Sequence, residues 1–124
     1  MNPTEKVVFV EPGGGGVFRL QGIEIEQLLD RECCARFSAY RVIMKPHQEK
    51  KPSFHKSGEE LYYVLSGEGL AVLGGEEFHL RPGCFFRVPP RTLHQFQTHS
   101  ESLEMLNLHS PPVFADRDTY FPEG

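Results

Sequence analysis

Two stretches decide the reading of this chain: SFHKSGEELYYVLSGEG, Ser53 to Gly69, and PGCFFRVPPRTLHQFQT, Pro82 to Thr98. Successive residues of a strand alternate between faces, so two ligands on one strand need even spacing, whereas residues flanking a turn converge at other spacings. His55 and Glu60 are separated by the turn residues Lys56-Ser57-Gly58-Glu59, so the histidine is expected to close one strand and the carboxylate to open the next. ELYYVL then reads as a strand rich in aromatic and β-branched residues, ended by the hairpin signal SGEG at Ser66 to Gly69. Gly74-Gly75 predicts a second hairpin into EEFHL, and Arg81-Pro82-Gly83 a turn into CFFRV. Pro89-Pro90 stops that strand, and in LHQFQT His94, Phe96 and Thr98 share a face, so His94 points into an apolar interior. Two imidazoles and a carboxylate with open positions to spare form a ligand set for zinc, iron, manganese or nickel held for chemistry rather than structure.

Outward from this centre, IEIE (Ile23 to Glu26), FSAYRVIMK (Phe37 to Lys45) and LEMLNLH (Leu103 to His109) read as strands, as do VVFV and VFRL on either side of the PGGGG turn. EQLLDRECC is ambiguous and could hold a helical turn; PHQEKKP reads as a polar loop and the end of the chain as a Pro-rich tail. About ten short strands separated by Gly and Pro turns predict an all-β antiparallel sandwich or barrel.

In these segments the chain resembles the cupin family. Ser53, His55, Glu60, Tyr63-Val64-Leu65 and Gly67 stand at the places of that family's first motif, and Gly83, Pro89 and His94 at those of the second. The resemblance implies a double-stranded β-helix, or jelly-roll barrel, with one divalent metal near its mouth held by His55, Glu60 and His94. It covers roughly residues 37–112. Ser53 replaces the first metal-binding histidine, Arg91 a glycine and Thr98 an asparagine, and Cys84 stands where an aspartate often follows Pro-Gly. EELYYVLSGEG and LRPG are also similar to ectoine synthase, but Phe86 stands where that family has a tyrosine ligand, which excludes the identity and leaves the reaction class open.

The length of 124 residues predicts a single domain spanning 1–124. A net charge of −4 with both signs interspersed leaves no basic stripe for nucleic acid. No apolar run approaches a membrane span and no secretory signal is visible, so a cytoplasmic protein is expected. Cys33, Cys34 and Cys84 cannot all pair and read as free thiols. Tyr62, Tyr63, Phe85, Phe86 and Phe96 are expected in the core. Ser53, Tyr62, Phe86, Phe96, Thr98 and Arg91 are candidates for a substrate pocket, and Arg87 with Arg91 for holding an anion at the mouth. Among the other histidines, His79 and His99 are expected at the surface, His47 in a polar loop, and His109 on either face of its strand. Two functions follow: a metal-dependent enzyme acting on a small organic molecule by dioxygenation, isomerisation or cyclising dehydration, or a non-catalytic small-ligand binder, with or without metal. A homodimer is expected in either case.

Overall fold

The computed structural model describes residues 2–34, 36–114 and 118–122. Among the described residues there are ten strands: β1 (Gly16–Leu20), β2 (Ile23–Gln27), β3 (Ser38–Met44), β4 (Glu49–Ser53), β5 (Glu59–Gly67), β6 (Gly69–Leu73), β7 (Glu76–Leu80), β8 (Phe85–Val88), β9 (His94–Gln97) and β10 (Leu103–Ser110). They form a six-stranded sheet in the order β1-β2-β3-β10-β5-β8 and a four-stranded sheet in the order β4-β9-β6-β7, every pairing antiparallel. This is the jelly-roll barrel that the resemblance implies.

The alternation of each strand sets what lies inside. On β10, Leu103, Met105, Asn107 and His109 are buried; on β5, Glu60, Tyr62 and Val64; on β9, His94 and Phe96. Leu103, Met105, Tyr62, Val64 and Phe96 join Met44, Ala71, Leu80 and Val88 in one apolar cluster. Asn107, His109, Glu60 and His94 continue the same inward rows beyond the cluster. The core and the polar group therefore occupy successive stretches of the same strands, and burial of the apolar residues fixes where the polar ones point.

Several local expectations are corrected. VVFV is not a strand: Val7 and Phe9 lie 95% and 82% exposed, outside any named strand. PHQEKKP is not all loop, because β4 begins at Glu49; β4 is an edge strand and carries an irregular register between Lys50 and Ser53, which accommodates Pro52. SGEG does not close a hairpin: β5 and β6 belong to different sheets, and Glu68 carries the chain between them, its N–H donating to Ser102 O at 3.0 Å. Gly67 has φ 84° there, and a Cβ on it would meet Ser102 O at 1.8 Å, so only glycine fits. In EQLLDRECC, Gln27 ends β2 and a 3-10 turn covers Arg31–Cys33. Tyr63 and Phe85, cross-strand partners, face outward at 46% and 62% exposure, because the alternation that buries Tyr62 turns Tyr63 away.

Glu26 is a buried carboxylate on β2. It accepts from Arg41 Nε at 2.7 Å and from the backbone N–H of Gly15 at 2.7 Å, while Arg41 also pairs with Glu104. The PGGGG segment is thereby tied to the sheet. The Arg41 hydrogen bond, helped by that of Gly15, holds the Glu26 carboxyl below its usual range.

Candidate metal centre

His55 follows β4, Glu60 lies on β5, His94 opens β9 and His109 lies near the end of β10. Pairing brings them together: Glu60 is cross-strand from His109, and Ser53 is cross-strand from His94. Glu60 Oε2 lies 3.0 Å from His94 Nε2, and Glu60 Oε1 lies 3.5 Å from His55 Nε2. The His55 and His109 rings meet edge to face with centroids 4.4 Å apart, and the His55 and His94 centroids are 5.3 Å apart. One ligand atom from each of His55, Glu60 and His109 lies within 4.8 Å of the other two. His94 stands outside that mutual set but touches the same carboxylate. All four residues are at least nine-tenths buried.

Each imidazole is held through Nδ1 by a backbone carbonyl: His55 by Asp118 O at 2.6 Å, His94 by Thr92 O at 3.1 Å and His109 by Pro111 O at 2.8 Å. A carbonyl oxygen only accepts, so each Nδ1 carries a proton, and in the neutral ring each Nε2 presents a lone pair. At His55 and His94 that lone pair faces the oxygens of an ionised carboxylate, a repulsive contact unless a proton or a metal ion lies between them. His109 Nε2 is buried with no hydrogen-bond partner among the described residues. Burial pushes the His109 pKa down, which keeps the ring neutral. At His55 burial also opposes the charge, but the hydrogen bond and charge of Glu60 together with the contacts to Asp118 outweigh it and raise the pKa. Burial likewise opposes ionisation of Glu60, and the bonds from His55 and His94 overcome it and hold the carboxyl well below the usual range. Tyr62 donates to Glu60 Oε2 at 3.1 Å; burial raises the pKa of its phenol, which stays protonated. The donor set fits a divalent cation: convergent neutral imidazole nitrogens, an anionic oxygen pair, and partners behind each ring that fix its orientation.

A cavity opens beside this group. Ser53, Tyr62 and Phe96 line it; Phe86 stacks behind Tyr62 at 4.9 Å between centroids, outside the lining. Thr98 and Arg91 also lie outside it. The Thr98 hydroxyl donates to Lys45 O at 2.6 Å and accepts from Gln48 N at 2.9 Å, which clamps the turn before β4. Arg91 is exposed in the left-handed region at φ 65°, where glycine is usual, and its N–H donates to His55 O. Arg87 pairs with Glu59 at 2.6 Å on the surface. His47, His79 and His99 are exposed.

Three contributors escape a reading of the motifs alone. His109 carried a signal in the alternation of β10, but Leu106 and Leu108 on the other face are also apolar and blurred it. Asp118 belongs to the Pro-rich tail; its carboxylate accepts from the N–H groups of Lys56, Ser57 and Gly58 while its carbonyl holds His55, and Tyr120 pairs with Phe54 beside it. Lys50, in a lysine-rich segment, left no signal of its inward direction.

The Cupin domain (Cupin_2) family model matches residues 40–109, and the chain belongs to the cupin family. The protein MJ1618 of Methanocaldococcus jannaschii is 35% identical over 65 residues, 52% of this chain and 52% of that protein. The quercetin 2,3-dioxygenase of Bacillus subtilis is 31% identical over 61 residues, 49% of this chain and 18% of the enzyme. The matched region thus spans about half of the first relative and less than a fifth of the second. The structure of the polyketide cyclase RemF from Streptomyces resistomycificus superposes with a TM-score of 0.74 at 25% identity, covering 91% of this chain and 89% of RemF.

Proposed function

We propose that this cupin is a metal-dependent enzyme that acts on a small organic molecule in the cavity, with one divalent ion held by His55, Glu60 and His94 and with His109 directed at the same point. The observation that carries this reading is the convergence of the His55 and His94 Nε2 lone pairs on the Glu60 carboxylate, with the orphan Nε2 of His109 buried beside them. A proton answers a single lone pair; a divalent cation answers several at once.

When bound, the ion supplies Lewis acidity toward a substrate oxygen. The chain's own residues do the rest. Asp118 and Thr92 carbonyls orient two of the rings, the Tyr62 hydroxyl donates a hydrogen bond that fixes the Glu60 carboxylate, and apolar walls that include Val42 and Phe96 keep water from the site. A similar cyclase structure and a dioxygenase relative support a cyclisation or an oxygenation as the class of reaction. The whole chain acts as one domain, in the cytoplasm, as a homodimer in this proposal.

Elemental analysis of protein purified without chelator or nickel resin tests it. About one equivalent of divalent metal per chain is expected, and His94→Ala, which removes an imidazole donor, should lower retention at least about tenfold. A wild-type protein that takes up no zinc, iron, manganese or nickel would leave a metal-free ligand binder instead.

A further inference from the structure

We propose that Lys50 is the anion-binding group of this cavity and that the ligand is a small carboxylic acid with an apolar body. The inference depends on the cavity being a ligand site, as in the proposed function, but not on the metal.

Lys50 sits between Glu49 and Lys51, both exposed, and is itself drawn inward. Its position follows from register: Lys50 is cross-strand from Phe96, whose ring is buried, and directly opposed residues of an antiparallel pair share a face. Its Nζ lies 5.9 Å above the Phe96 ring, donates to Ser53 Oγ at 2.7 Å and to Lys51 O at 3.3 Å, and lines the cavity. An ammonium has three protons, so one donor is left over.

Among the described residues no carboxylate forms an ion pair with Nζ, and Lys50 and Glu60 are the charged side chains on the cavity wall, histidines aside. Burial pushes the amine down to about 8, with Glu60 drawing it back up. A half-buried cation with no carboxylate in direct contact is under-compensated until something anionic reaches it. Glu60 is committed to His55, His94 and Tyr62. The anion must then come from the ligand. A single free donor on a point charge suits one carboxylate oxygen; a phosphate calls for more donors than this wall offers. The remaining wall, with Phe18, Ile25, Tyr40, Val42 and Phe114, suits an apolar body.

The test is calorimetric titration with benzoate and with its neutral isostere benzamide, on protein stripped with EDTA and again on zinc-loaded protein, for wild type, Lys50→Met and Lys50→Arg. Benzoate should bind at least about tenfold more tightly than benzamide to stripped wild type, a difference of about 1.4 kcal/mol. The preference should vanish in Lys50→Met and persist in Lys50→Arg. Lys50→Met is expected to fold, because an apolar side chain of similar length replaces a half-buried charge; the Arg variant keeps the comparison valid if it does not. Equal binding of the two probes to wild type, or a benzoate preference that survives in Lys50→Met, overturns the inference. A preference seen only with zinc and unaffected by Lys50→Met assigns the carboxylate to the metal, which sinks this inference and leaves the metal reading intact. A Lys50-dependent preference in a protein that takes up no metal does the reverse.

Discussion

Gly58→Ala is the sharpest probe of how the site is built. Gly58 is buried in the turn before β5, and a Cβ at that position would lie 2.0 Å from His109 Cε1, 2.9 Å from its Nδ1 and 3.0 Å from its Nε2. Its backbone is not left-handed, so alanine adds a methyl group and no conformational strain. Ordinary contact begins near 3.4 Å, so the ring must retreat by about 1.4 Å. It is already 99% buried, is held at Nδ1 by Pro111 O, and has the His55 ring 4.4 Å away. Overpacking of this kind costs about 1–3 kcal/mol, which in a chain of this size lowers Tm by about 3–15 °C. Because the displaced ring is aimed at the proposed ion, zinc affinity should also fall, by about tenfold to a hundredfold. Thermal melts by circular dichroism and zinc titration read the two effects. The double variant isolates the cause: in a His109→Ala background the methyl group meets no ring, and Gly58→Ala should add less than about 0.5 kcal/mol. The reasoning is refuted by a Gly58→Ala protein with wild-type Tm and zinc affinity, or by an equal penalty with and without the His109 ring.

Three further outcomes are expected. Glu26 has a folded pKa below its unfolded value of about 4.3, so the stability it confers is present above that pH and is lost as pH falls through the folded value; urea midpoints should drop more steeply from pH 6 to pH 3 in wild type than in Glu26→Gln, and parallel profiles would contradict the assignment. At neutral pH the same variant should lose about 1–2 kcal/mol through the weakened Arg41 bond. Ser53→His places an imidazole beside His94 and should raise zinc affinity about tenfold or more once the Lys50 ammonium is displaced; unchanged or weaker binding would show that position 53 does not face the ion. Light scattering should give twice the chain mass, since β1 and β8 are sheet edges and Val17 and Phe85 on them are exposed; a monomer at micromolar concentration would defeat the dimer.

Composition and turn chemistry were enough to place most strands, because a period of two is written directly into HQFQ and IEIE, ELYYVL is rich in aromatic and β-branched residues, and Gly and Pro punctuation marks where they end. The same periodicity put His94 on the inward face with Phe96. It did not say which strands pair. SGEG reads as a hairpin at the level of four residues, yet β5 and β6 pair in different sheets, and Gly67 marks the crossing. Tyr63 and Phe85 read as core for a related reason: aromatic content predicts burial on average, and only pairing assigns each ring a side.

The sequence by itself determined where His55, Glu60 and His94 stand relative to turns and strand faces, since those positions are local properties. What only the tertiary structure decided is the company they keep. His109 reaches the site through a pairing of β10 with β5, Lys50 through the pairing of β4 with β9, and Asp118 through a tail that returns to the turn after β4. Each of these contacts spans more than forty residues of chain, as the separations of His109 from Glu60, Lys50 from Phe96 and Asp118 from His55 show. Contacts at such range are set by which apolar faces bury one another, a property of the whole barrel and of no single segment.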